Sequence, residues 1–353
     1  MGALLDRLSA RSLADSIPLN VQVDLTMRCN ERCAHCYRVV EDREELTAAE
    51  VKHLLEDLAR AGTLYLTFSG GEVFLRSDLF DLIAHAKHLR FDVRLKTNAL
   101  LVTAARAGRL RELGVRQVDV SVYSADPAVH DAVTEVPGSL VRTLAGVRHL
   151  RDAGLAVKLN CPLMTVNIDD YRAVHALADE LGVPCGFDAM ITTRNDGGRA
   201  PLRLRVSGRR LLPVLRDAAV NSEPGACAER AHPDSVPCGA GHSSGYVSAY
   251  GDVMPCVAMP IACGNIRERP FLEIWRDAPR MRDVRAIRIR DLHTCSRCAA
   301  AEFCVRCPGQ AFVEDGDLYG PSAAACDHAL ARATAAGSPA VPITLLPRVV
   351  NSS

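Results

Sequence analysis

The chain has 353 residues, 48% of them apolar, enough to bury a sizeable core in one large domain or two modest ones. Its 42 basic and 42 acidic residues cancel, which excludes the global field of a polyanion binder and gives no reason to expect nucleic acid as a partner. It has no apolar run of about eighteen residues and no basic, apolar and small succession at its start, so neither a membrane span nor a secretion signal is predicted, and the expected compartment is the cytosol.

From residue 21 to 218, short β-branched or apolar runs alternate with longer amphipathic stretches, the signature of repeated βα units on a parallel sheet. Strands are predicted over residues 21–27, 64–69, 91–97, 117–123, 157–164 and 186–191. Helices between them are expected to begin near Thr47, Ser77, Thr103, Ser139 and Asp169, residues suited to caps or first turns, and several to stop at Gly62, Gly114, Gly154 and Gly182. A Gly, Arg and Pro-rich stretch at 195–201 precedes a sixth helix from Ser207 to about Ala219, so a boundary is placed near residue 220. Residues 221–330 form a cysteine-rich second domain too poor in apolar runs to fold readily without a metal staple, and 331–353 a peripheral tail.

Fourteen cysteines in a reducing compartment argue for metal binding rather than disulfides. Three lie within residues 29–36 and nine within 227–326; of all fourteen, Cys161, Cys185 and Cys263 fall outside a ligand set. Cys29, Cys33 and Cys36 follow the first strand at gaps of three and two, so their thiolates can converge on one iron–sulfur cubane. Such clusters take four cysteines; three leave one iron open to an exogenous chelator. The alternative is a zinc loop completed by His35. In the second region, a zinc ribbon would use Cys295, Cys298, Cys304 and Cys307 but leave Cys238, Cys256 and Cys326 spare.

The Cys-x3-Cys-x2-Cys loop resembles the defining motif of the radical S-adenosylmethionine superfamily, and Ser69-Gly70-Gly71-Glu72 at the end of the second strand resembles its Gly-Gly-Glu motif. The resemblance implies a partial (β/α)6 TIM-like barrel over residues 1–220, in an overall α/β fold, that binds S-adenosylmethionine. Gly70, Gly71 and Glu72 would meet the methionine amino group, Ser121 the ribose, and Asn98 a Thr-Asn-Gly-like turn in which Ala99 replaces the glycine.

The spacing of Cys238, Cys256, Cys295, Cys298, Cys304, Cys307 and Cys326 resembles the SPASM extension of peptide-modifying members, which implies two auxiliary four-iron clusters. By that pattern one takes Cys238, Cys256 and Cys307, with Cys227 or His232 as a fourth ligand or none, and the other takes Cys295, Cys298, Cys304 and Cys326. Valine at 257 departs from the aspartate that sulfatase-maturing relatives place there, disfavouring that activity. The implied reaction is reductive cleavage of S-adenosylmethionine to a 5′-deoxyadenosyl radical that modifies a ribosomally made peptide by crosslinking, epimerisation or oxidative decarboxylation. A sugar or aminocyclitol is the alternative substrate. Implied partners are a precursor peptide, a separate leader-recognition protein, and an electron donor such as flavodoxin or ferredoxin. Tyr123, Arg194, Asn195 and Asp196 fall near strand ends, where such barrels build their sites.

Overall fold

The computed structural model describes residues 2–221 and 232–338. Helix α1 (Gly2–Ala14) leads into the first of six parallel strands, β1 (Asn20–Thr26), β2 (Tyr65–Gly70), β3 (Asp92–Thr97), β4 (Gln117–Ser121), β5 (Ala156–Pro162) and β6 (Cys185–Asp188). They lie side by side in chain order, each paired with the next. The crossovers run through α2 (Ala48–Arg60), α3 (Leu79–His88), α4 (Ala104–Glu112), the pair α5 (Pro127–Thr134) and α6 (Ser139–Asp152), and α7 (Tyr171–Leu181). Alternation sets the two faces of the sheet. Val21, Val23 and Leu25 of β1 are fully buried in one core with Leu54, Leu55 and Leu58 of α2, and Val93, Leu95, Val118 and Val120 join it. The intervening Gln22, Asp24, Lys96, Asp119 and Ser121 therefore share the opposite, concave face.

The helix ends follow the sequence closely. Thr47 and Glu50 form a reciprocal capping box on α2, and Gly62, Gly114, Gly154 and Gly182 all hold positive φ after their helices. Arg267 reaches from the cysteine-rich segment to the same Glu50 at 2.6 Å, tying the two parts of the chain together.

Three features differ from expectation. Helices α1 and α5 were not anticipated; α5 has a legible start all the same, since Asp126 caps the amide of Ala128 and Pro127 occupies the first turn. The sheet also continues into the cysteine-rich segment: β7 (Ser244–Val247) pairs in parallel with β1, and β8 (Asp252–Met254) and β9 (Gly264–Asn265) follow antiparallel. The result, among the described residues, is one nine-stranded sheet that stays open, its first six strands forming the partial barrel that was expected. Helix α8 (Gly208–Arg216) ends earlier than predicted, because Asp217 turns to accept from Tyr171 and Arg172.

Beyond the hairpin, α9 (Phe271–Asp277) stacks Phe271 on Trp275 at 5.7 Å, and the indole donates to the Ser16 carbonyl at 2.6 Å. Helices α10 (Pro279–Ala286), α11 (Pro308–Asp315) and α12 (Ala323–Ala335) complete the segment. Helix α12 runs through residue 330 and packs on α8, where the Asp327 carboxylate accepts from the Gly208 amide at 2.6 Å. A Cβ at Gly208 would stand 2.4 Å from the Asp327 carbonyl, so this close approach requires glycine. Among the described residues, no helix is long and apolar enough to cross a membrane.

Candidate active site

The strand C-termini surround a cavity of about 580 Å³. One wall is the loop that leaves β1, carrying Cys29, Cys33 and Cys36; the other presents Ser69, Gly70, Gly71, Asn98, Ser121 and Tyr123 from the ends of β2, β3 and β4. The structure thus brings the expected cysteine loop and the expected strand-end residues to one site.

The loop is held from several sides. Its backbone is clamped by the unanticipated α5, with the Arg32 amide donating to Thr134 and the Ala34 amide to Val133. Asn98 donates its side-chain amide to Asn30 at 2.7 Å and accepts from the Leu100 amide, so it bridges β3 to the loop. Ala99 adopts φ +61°, the left-handed turn a glycine would favour. Gly146 on α6 makes room for it, since a Cβ there would lie 2.3 Å from the Ala99 carbonyl.

Gly71 packs still more tightly: its Cβ would fall 1.8 Å from the Arg28 carbonyl, just before Cys29. Gly71→Ala is accordingly expected to displace the cysteine loop and lower the melting temperature by about 3 °C, the scale of a ~2 kcal/mol clash in a chain of this size. Gly108→Ala, in open space on α4, should leave it unchanged or raise it slightly. Thermal melts of the two variants check this pair, and an unperturbed Gly71→Ala would show that the loop yields freely.

Glu72 stands apart from its glycine neighbours. It is fully buried, and its carboxylate accepts from the Thr97 hydroxyl at 2.8 and 2.9 Å, the Asn98 amide at 2.9 Å and the Phe74 amide at 3.1 Å. Gly70 and Gly71 line the cavity; Glu72 fastens the ends of β2 and β3 behind them.

The donor set fits an iron–sulfur group. Burial pushes the Cys29 and Cys33 thiols above their usual range, and the Glu31 carboxylate pushes Cys33 further, so a cationic centre is what would hold them as thiolates. Glu31 is itself buried, and that burial moves its carboxyl up to about 7. Its Oε1 and the His35 Nδ1 are buried without a hydrogen-bond partner, and both residues line the cavity. Such orphaned polar atoms beside an open chamber are what an absent polar ligand would satisfy. Among the described residues, no three His, Cys, Asp or Glu side chains draw in to the spacing of a single metal ion.

Tyr123 lies against Cys33, its hydroxyl 3.6 Å from Sγ, with the His35 and His130 rings packed on either side at 5.0 and 5.3 Å. Of the other strand-end residues, Arg194 lines a second chamber behind the loop, the Asn195 amide donates to the Tyr37 carbonyl, and Asp196 is exposed and caps Gly198. Sequence reading missed Lys96, Asp119, Lys158 and Asn160, which line the cavity floor. Period-two counting back from Ser121, carried across to β3 and β5, would have found them.

The distal cysteines gather in two groups. Burial raises the Cys238 and Cys256 thiols, with Cys307 adding to both. Cys304 and Cys326 are raised by burial, to about 12 and about 11, and then by Cys295 and Cys298. Charge coupling thus runs among Cys238, Cys256 and Cys307 and, separately, among Cys295, Cys298, Cys304 and Cys326. Cys227 lies outside the described residues, and His232 is exposed against Asp234.

Comparison with known proteins agrees with this geometry. The family model for the radical SAM superfamily matches residues 23–178, and that for the SPASM iron–sulfur cluster-binding domain matches 238–299. An AdoMet-dependent heme synthase from Methanosarcina barkeri is 28% identical over 331 residues, covering 85% of this chain and 94% of the relative. A PqqA peptide cyclase from Xanthomonas campestris is 31% identical over 277 residues, covering 73% of each. Among solved structures, Streptococcus suis SuiB bound to S-adenosylmethionine superposes with TM-score 0.70 at 18% identity, over 90% of this chain and 80% of that one. The anSMEcpe structure with bound AdoMet gives 0.68 at 12%, over 91% and 97%.

Proposed function

Since the chain belongs to the radical SAM superfamily and carries its SPASM iron–sulfur domain, we propose that it is an enzyme that uses S-adenosylmethionine to abstract hydrogen from a ribosomally made peptide. The observation that carries the reading is the shared cavity, in which an incompletely ligating trio, Cys29, Cys33 and Cys36, faces Gly70, Gly71, Asn98 and Ser121. In it the trio holds a four-iron cluster with one open iron. Cluster and S-adenosylmethionine, when bound, supply one-electron cleavage of the sulfonium and a carbon radical. The residues do the rest. The backbone of Gly70 and Gly71 receives the methionine end, Ser121 offers its hydroxyl to the ribose, Asn98 fixes the loop, and Glu72 positions the ends of β2 and β3. Tyr123 and the α5 clamp hold the Cys33 side of the loop in place. Cys238, Cys256 and Cys307 hold one auxiliary cluster, and Cys295, Cys298, Cys304 and Cys326 another.

The peptide assignment is supported by the 31% identical peptide cyclase. A tetrapyrrole is the second reading, favoured by a heme synthase matched over most of its length and by the Lys96 and Lys158 ammoniums on the cavity floor, which suit carboxylate side chains. The two separate in one assay with dithionite and S-adenosylmethionine, in which candidate precursor peptides and iron coproporphyrin are offered in turn. A peptide substrate should raise 5′-deoxyadenosine formation above the substrate-free rate and leave a product of altered mass or chirality. Stimulation by the porphyrin alone would replace the peptide reading with the tetrapyrrole one.

A further inference from the structure

Resting on the peptide reading above, we infer that the groove along the free edge of β6 is a docking site for an extended segment of the peptide substrate that carries an acidic side chain. The sheet order leaves β6 with a partner on one side only. Its pairing with β5 runs through the Pro184 and Asp188 carbonyls, which accept from the Leu159 and Leu163 amides. Backbone groups alternate in direction along a strand, so Gly186 also faces β5, while Cys185 and Phe187 turn their N–H and C=O groups to the open side. No hydrogen-bond partner among the described residues meets them there.

An unpaired strand edge is a template for another strand, which natural sheets usually cover or charge. Here it opens on a cavity of about 510 Å³ between β6, α8 and α12. Gly186, Phe187, Asp188 and Met190 border this cavity and the active-site cavity alike. A strand laid along β6 therefore leads directly into the active-site cavity. The edge is four residues long, about 13 Å at a strand rise of about 3.3 Å per residue, enough to hold a short peptide segment.

The opposite wall supplies what an acidic extended chain would use. His328 of α12 lines the groove and is 2% exposed; its Nε2 meets the Val206 carbonyl at 3.2 Å, and its Nδ1 is buried without a partner. Burial pushes the ring toward its neutral form, so with Nε2 donating to Val206, Nδ1 is an acceptor that an incoming N–H would satisfy. One turn along, Arg332 also lines the groove, donates to the Phe303 carbonyl at 3.3 Å and pairs with no carboxylate among the described residues. Asp188, at the mouth shared with the active-site cavity, accepts from the Met190 amide. Main-chain bonds to β6 supply affinity whatever the sequence, and the guanidinium selects a carboxylate. A tetrapyrrole has no strand backbone and would leave the edge unpaired.

The probe is a fluorescein-tagged hexapeptide blocked at both ends, Val-Thr-Glu-Val-Thr-Val, titrated into the anaerobic, iron-loaded chain, with amide-resolved hydrogen exchange on the same complex. The Cys185 and Phe187 amides are expected to exchange freely without peptide and more than tenfold more slowly at saturation. N-methylation of alternate peptide amides should abolish binding in one phase of the alternation and spare it in the other. Arg332→Glu should weaken binding of this peptide more than tenfold, and should bind the counterpart with lysine in place of glutamate more tightly than the wild-type chain does, at unchanged iron content. Arg276→Glu, on the distant α9, should do neither. The assignment is overturned by absence of binding, by binding that leaves both amides unprotected, by equal tolerance of the two N-methylated peptides, or by equal effects of the two arginine variants. Amides already protected without peptide would overturn it too, since another part of the chain would then fill the groove. Stimulation of 5′-deoxyadenosine formation by the porphyrin alone counts against the peptide reading of the reaction, whereas the exchange result decides the groove by itself.

Discussion

Cys33→Ala is expected to abolish 5′-deoxyadenosine formation while removing only about a third of the iron, roughly four atoms of twelve if three four-iron clusters load. The trio has no spare member. Cys33 sits between Glu31 at 3.4 Å and the Tyr123 hydroxyl at 3.6 Å, two groups that an alanine would leave without their sulfur partner. Cys295→Ala should show the opposite pattern, losing iron from the distal set while its first cluster stays reducible. Because burial raises the Cys29 and Cys33 thiols, cluster loading must release protons from both. Reconstitution of the first site should therefore improve as pH rises, and more steeply than for exposed thiols. Iron counts and 5′-deoxyadenosine yields on the same samples check all of this. Retained cleavage by Cys33→Ala would remove the first cluster from the reading.

Much of this site was legible because its parts are punctuated by residues with one physical use. The six strands are found within a few residues of their predicted bounds, since alternation and glycine stops at Gly62, Gly114, Gly154 and Gly182 agree with one another. What escaped was decided by tertiary contact. Helix α5 is only eight residues long, and its importance lies in backbone bonds to Arg32 and Ala34, a hundred residues away in the chain. Strand β7 is four residues with a glycine inside it. A Cβ at Gly245 would lie 3.0 Å from the Trp275 ring, so the glycine that obscures the strand is what lets the indole seat on it. The motif at 69–72 lies at the end of β2, yet its spelling does not say which of its residues faces the chamber.

That division of labour gives Glu72→Ala the second large effect. The substitution strands three buried donors, the Thr97 hydroxyl and the amides of Asn98 and Phe74. At about 1–3 kcal/mol for each unsatisfied group, partly recovered by relaxation, the expected cost is about 3–5 kcal/mol. In a chain of this size that is roughly 4–7 °C in melting temperature. Affinity for S-adenosylmethionine should fall with it, because Asn98 and the Gly70–Gly71 backbone lose their anchor. Glu72→Gln separates positioning from direct contact. Its carbonyl can still accept from Thr97 and Asn98 while its amide opposes the Phe74 donor, so stability and cofactor affinity should both be intermediate. A Glu72→Gln chain that melts like wild type but no longer binds S-adenosylmethionine would mean that the carboxylate touches the cofactor itself, with the hydrogen bonds to β3 incidental.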